Sequence, residues 1–167
     1  MRVEAPIKVD RKTKKLAKRL STGDIAVINH TDIDEVAANS LVECKIKLVI
    51  NAAPSISGRY PNKGPKILID NNILIIDNVG EKVFEDLKEG QIIEVNNGLI
   101  YRDGQLIGQG EVMDKSVVEQ KTKIAYENMS VELDRFIDNT IEYAKREKGF
   151  ILGETEIPKM ATDYKDR

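Results

Sequence analysis

Apolar residues in this chain fall into short continuous runs separated by polar stretches of helix length, and that alternation predicts an α/β fold. Ile25-Ala26-Val27-Ile28, Leu48-Val49-Ile50 and Ile73–Ile76 are apolar at nearly every position, as strands of a parallel sheet covered on both faces are. These three runs are therefore expected to be adjacent parallel strands. Between the first two, Ile33, Val36, Ala37, Leu41 and Val42 recur at helical spacing behind Asp32 and Glu35, a pair spaced like a capping box. Glu4–Val9 reads as a short strand, and Lys12–Leu20 as a helix with Leu16, Ala17 and Leu20 on one face. Pro65 suits the first position of a helix through Asn71. Glu81–Leu87 is a short helix closed by Gly90.

Beyond Gly90 the pattern changes. Gln91–Val95 and Leu99–Tyr101 flank Asn96-Asn97-Gly98, a type I′ hairpin signal, and Asp103-Gly104 marks a second tight turn into Gln105–Ile107. From Lys115 to Lys148 no Gly or Pro interrupts the chain, and Tyr126, Met129, Leu133, Phe136, Ile137, Ile141 and Ala144 form an apolar stripe. That helix is expected to be about 50 Å long and to end at Gly149. Its length and stripe predict packing partly outside its own domain, against a globular partner surface or with a second helix, and a homo-oligomer through Lys115–Lys148 is expected. The organisation expected is an α/β domain over 1–113, a long helix over 114–149 and a linker over 150–167.

Composition narrows the class. The chain has 167 residues, 41% hydrophobic and 32% charged, with a net charge of −2, which argues for a globular protein and against nucleic acid as the main partner. The first twenty residues carry eight Lys/Arg against two acids. Such a run is the solvated face of a short helix or a contact for an acidic partner or lipid head groups. The single Cys44 forms no internal disulfide and suits a reducing compartment. With no signal peptide and no apolar run of membrane-spanning length, a cytoplasmic location is expected.

The candidate chemistry lies in the long loop after Leu48–Asn51. Ligands of open α/β sheets bind at the C-terminal ends of strands, and this loop, rich in Gly, Pro, Ser and Asn, is too long for an economical turn. The residues expected to bind a ligand are Asn51, Ser55, Ser57, Gly58, Arg59, Tyr60, Asn62 and Gly64, facing Asp77 and Asn78 at the end of the next strand. Arg59 offers a bidentate clamp, so the expected ligand is a small anion. Asn29 and His30 end the preceding strand. His30 there suits a ligand or catalytic group, or a hydrogen-bonding structural role. No catalytic residue, metal ligand or cofactor is assigned. Gly58 to Gly64 lacks the Gly-Lys-Ser/Thr of a phosphate loop, and Gly108-Gln109-Gly110 lacks the third glycine of a dinucleotide fingerprint, with Met113 in its place. One cysteine and one histidine support neither a zinc cluster nor a Cys/His nucleophile.

Two resemblances add to this. Gly23-Asp24-Ile25-Ala26-Val27, the stretch from Ser57 to Asp77, Leu87–Gln91 and Val95–Tyr101 resemble the phosphohistidine swivelling domain of phosphoenolpyruvate-utilising enzymes. That family has Thr-Ser-His where this chain has Ser57-Gly58-Arg59, so the resemblance implies the fold, a β/β/α sandwich, without the phosphate-accepting histidine. Arg11–Leu16, Gly23–Ile28, Val49–Asn62, Gly64-Pro65 and Asp77–Gly80 resemble the N-terminal region of the bacterial SteA family of cytokinetic-ring proteins. That resemblance implies a non-catalytic ligand-binding or regulatory domain of a cell-division protein. A downstream thiamin-pyrophosphokinase-like, kinase-like domain and a C-terminal membrane anchor would follow, and any membrane contact would be through that C-terminal part. The alternative expectation is a small enzyme acting on an anionic, phosphorylated metabolite through Ser55–Asn62.

Overall fold

The computed structural model describes residues 2–153, with side chains described as far as Gly149. In chain order the elements are β1 (Arg2–Val9), α1 (Thr13–Ala17), β2 (Ile25–Ile28), α2 (Glu35–Glu43), β3 (Leu48–Asn51), α3 (Gly64–Asp70), β4 (Leu74–Asp77) and α4 (Glu81–Asp86). There follow β5 (Ile92–Asn96), β6 (Leu99–Arg102), β7 (Gln105–Gln109), β8 (Glu111–Met113) and α5 (Lys115–Gly153). The fold is α/β, with a mostly parallel centre and a long C-terminal helix.

The strands run in the order β7-β6-β5-β1-β2-β3-β4-β8. β1 through β4 are parallel neighbours, with Ile25 opposite Leu48 and Leu48 opposite Leu74, as their two-faced apolar runs require. Ala26, Ile28, Val49 and Ile75 face one core with α1, α2, α3 and the start of α5. Ile25, Val27, Leu48, Ile50 and Ile76 face the other, against Ile93, Val95 and Ile100 of β5 and β6 and Phe84 of α4. β1 joins the two layers. Its first residues pair antiparallel with β5 and its last pair parallel with β2.

The sheet also bends back on itself. β7 and β8 stand at opposite ends of the strand order, yet Gly110 alone separates them in the chain. A Cβ on Gly110 would lie 2.6 Å from the Asp77 carbonyl oxygen, so the closure needs glycine at this point. Both tight turns take the left-handed backbone expected of them, with φ of 50° and 88° at Asn97 and Gly98 and 52° and 79° at Asp103 and Gly104.

Three local expectations are corrected. The N-cap of α2 is Asp34, whose side chain accepts from Ala37 N–H, and Asp32 instead has φ 55° and turns toward the loop after β3. The helix α1 spans only Thr13–Ala17, because its following residues close in turns onto the Leu16 carbonyl. α5 passes through Gly149 to Gly153, since one glycine in a helix costs only about 1 kcal/mol. Of the expected 150–167 linker, 150–153 continue α5 as backbone, and the remainder lies outside the described residues.

The chain divides into two compact units, Met1–Asn128 and Met129–Arg167. The first takes in the opening turns of α5, where Val118 and Ala125 are buried. In the second, α5 exposes Leu133, Phe136, Ile137 and Ile141, with Phe136 67% accessible.

Candidate binding site

All four parallel strands deliver their C-terminal ends to one edge, so the loops after β1, β2, β3 and β4 compete for the same place. The loop after β3 turns inward. Asn51, at the end of β3, is fully buried, as is Ser55, and Asp77 at the end of β4 is 3% accessible. These three form a directed chain. Asn51 Nδ2 donates to Ser55 Oγ at 2.8 Å, and Ser55 donates to Asp77 Oδ1 through Oγ at 2.7 Å and through its backbone N–H at 2.9 Å. Burial pushes the Asp77 carboxyl above the usual carboxylate range, and the two Ser55 donors pull the other way. The arrangement satisfies a buried acid with the nearest donors.

Asn51 also works backward along the edge. Its Oδ1 accepts from His30 N–H at 3.0 Å while its Nδ2 donates to the His30 carbonyl at 2.9 Å, so one amide clamps both backbone groups of His30. Asn62 fastens the far end of the loop, donating to the carbonyls of Ile33 and Ser55 at 2.9 and 2.8 Å. Its Oδ1 is buried without a hydrogen-bond partner among the described residues. Ser57 donates to Asp32 through both N–H and Oγ, at 2.7 and 2.8 Å, which explains the turned Asp32.

The remaining expected site residues have local reasons for their identity. Gly58 has φ 90°, and its carbonyl accepts from Asn128. Gly64 packs where a side chain would strike the Ile33 carbonyl. Asn78 occupies the left-handed region at φ 54°, which asparagine tolerates. Arg59 and Tyr60 are exposed, the Arg59 guanidinium lying 5.9 Å from the centre of the Tyr60 ring. The structure thus brings Asn51, Ser55, Asp77 and Asn62 together beneath the surface. Arg59 does not join them: its side chain is exposed, and Ser55 is the donor to the acid it was expected to face.

The loops after β1 and β2 leave an open groove instead. It has a volume of about 590 Å³ and is lined by Lys12, Thr13, Lys14, His30 and Val36, among others. Thr13 is buried, and its Oγ1 lies 2.9 Å from His30 Nδ1, in hydrogen-bond contact. At one side Arg11 pairs with Glu81, which also accepts from Asn29 at 2.7 Å. Four cations of the basic N-terminal run have ion-pair partners within the fold: Arg2 with Glu94, Lys8 with Asp24, Arg11 with Glu81, and Arg19 with Asp10 and Glu89. Lys12 and Lys14 enter no ion pair among the described residues. The sequence places His30 at a strand end but gives no sign of its partner Thr13 or of this groove. A buried threonine amid lysines carries no pattern that sets it apart.

A second cavity of about 530 Å³ lies beside Pro61, Asn62, Lys63, Lys66 and Tyr126. No set of three or more His, Cys, Asp or Glu placed to hold a metal ion occurs among the described residues. No described helix is long and apolar enough to cross a membrane.

No family model and no curated protein matches the chain. Among solved structures, a 3-isopropylmalate dehydratase chain from Methanocaldococcus jannaschii is similar at 12% identity, over 81% of this chain and 99% of that one, with a TM-score of 0.40. A likeness that weak bears on neither fold nor function.

Proposed function

We propose that this chain is a non-catalytic binding and regulatory module, the N-terminal domain of a SteA-like bacterial cell-division protein. The observation that carries the reading is the chain from Asn51 through Ser55 to Asp77. The hydroxyl and the acid nearest the strand ends are directed at one another, out of reach of a substrate. The residues behind the SteA resemblance, Val49–Asn62 and Asp77–Gly80, are also the residues this network ties into one unit, which supports reading that motif as a fold element. The enzyme alternative would need Ser55 opened to solvent.

On this reading the domain is cytoplasmic, in keeping with the unpaired Cys44. It precedes a thiamin-pyrophosphokinase-like domain, and any membrane contact comes from farther along the protein. The exposed stripe of α5 pairs it with a second copy. The test is to follow the complete protein, fused to a fluorescent protein, in its own dividing cells. Recruitment to the division site that is lost on removing residues 1–128 is the expected result. A diffuse signal at every stage of division overturns the cell-division assignment.

A further inference from the structure

Resting on that reading of a binding module, we propose that the groove beside His30 is its ligand site and takes a small phosphate monoester with an apolar body. Three observations converge there. The first is charge. Lys12 and Lys14 line the groove without ion-pair partners among the described residues, with Arg11 at its side. The lining acid, Asp34, has Oδ1 engaged by Ala37 N–H at 2.7 Å. That single acid is outnumbered by the two lysines, and the excess positive charge favours an anion.

The second observation is preorganisation. His30 is fixed at both backbone groups by the buried Asn51 and at its ring by the buried Thr13. Its imidazole is therefore set before any ligand arrives, which lowers the ordering cost of binding. Asn51 acts here as a positioning residue, although it is itself out of contact with the groove's contents.

The third is size and surface. The groove's volume of about 590 Å³ falls in the range of small-molecule sites, roughly 300–1,000 Å³, and a phosphate group fills only part of it. Val36, 76% accessible, lines the groove and offers an apolar surface for the rest of the ligand.

His30 is the single histidine of the chain, so its imidazole Cε1–H gives one unambiguous NMR signal. The experiment titrates the whole chain with phenyl phosphate and, separately, with inorganic phosphate. Phenyl phosphate is expected to move the His30 signal saturably and to bind more tightly than inorganic phosphate. The double variant Lys12→Ala/Lys14→Ala should bind phenyl phosphate about tenfold or more weakly, as loss of charge-assisted hydrogen bonds predicts. Arg59→Ala should bind as wild type does. A His30 signal that stays still, affinity undiminished in the double variant, or binding abolished by Arg59→Ala overturns the site. Inorganic phosphate binding as tightly as phenyl phosphate overturns the apolar body. Failure here with division-site recruitment intact would leave the module reading standing without this ligand.

Discussion

Two polar regions share one edge of the parallel sheet, and they use their polar groups in opposite ways. In and around the loop after β3, Asn51 and Asp77 at the strand ends and Ser55 and Asn62 of the loop bond to one another or to backbone carbonyls. In the groove between the starts of α1 and α2, Lys12, Lys14 and His30 line open space. A long irregular segment brings many backbone N–H and C=O groups to the sheet edge, and buried ones must find partners. The side chains of the first region meet that demand. The groove is bordered by the first turns of two short helices, and Lys12 and Lys14 there enter no ion pair among the described residues, so these side chains stay available to a ligand. Polar composition at a strand end thus marks either role, and the direction of the side chains decides between them.

The largest effect is expected at the bottom of the buried region. Asp77→Ala removes the acceptor of both Ser55 donors, N–H and Oγ–H, in a site closed to water. Leaving buried donors unpaired costs about 1–3 kcal/mol for each group, so urea unfolding should show a loss of about 3 kcal/mol. Asp77→Asn keeps an acceptor without the buried charge and should lose clearly less. If Asp77→Ala unfolds at the same urea concentration as wild type, the loop is not held from within and the contrast between the regions collapses.

Asn51→Ala comes next and joins the two regions. It removes the bonds to Ser55 and to both backbone groups of His30, for an expected loss of about 2 kcal/mol. It should also move the His30 NMR signal in the absence of any ligand and weaken phenyl phosphate binding. A purely structural role for Asn51 would lower stability and leave that signal where it was.

What the sequence made legible follows from periodicity. Ile25–Ile28, Leu48–Ile50 and Ile73–Ile76 announce strands because both faces of each are apolar, and Asn97-Gly98 announces its turn because few other residues accept that backbone. Loops carry no such period. The spacing of Asp32 to Glu35 predicts a cap, but its partner is Ser57, far along the chain and invisible to local spacing. The ten residues named for the site included the four that interact beneath the surface, yet nothing in their order told inward from outward. Gly110 showed only as part of a failed dinucleotide fingerprint, although its close approach to the Asp77 carbonyl lets the sheet bend round.

A smaller effect depends on pH. Burial raises the Asp77 carboxyl in the folded protein, so the native state holds that proton more tightly than the unfolded chain does. The stability this contributes is full below the usual carboxylate pKa of about 4 and is lost as pH rises through the raised folded value. Arg19 holds Glu89 low, and hydrogen bonds from Lys12 N–H and Arg19 hold Asp10 low. Their contribution runs the other way, present above the usual value and lost on acidification, but ion pairs this exposed are weak. Subtracting Asp77→Asn from wild type cancels them. The difference should fall as pH rises from about 4 through the raised folded value and then level off, and a pH-independent offset would remove burial of the Asp77 charge from the account.

The smallest effect is expected at Arg59, the cation at the centre of the loop after β3. Its side chain is exposed and lies over the neighbouring Tyr60 ring, while its backbone N–H reaches Ser57 Oγ at 3.3 Å, a contact that survives truncation of the side chain. Substitutions at such positions usually change stability by no more than about 0.5 kcal/mol. Thermal melts of Arg59→Ala should therefore overlay those of wild type, with and without phenyl phosphate. A lowered melting temperature without ligand would make Arg59 a strut of the loop and bring it into the buried region. A ligand-dependent shift present in wild type and missing from Arg59→Ala would instead move the anion site back to the loop after β3, and the two regions would exchange roles.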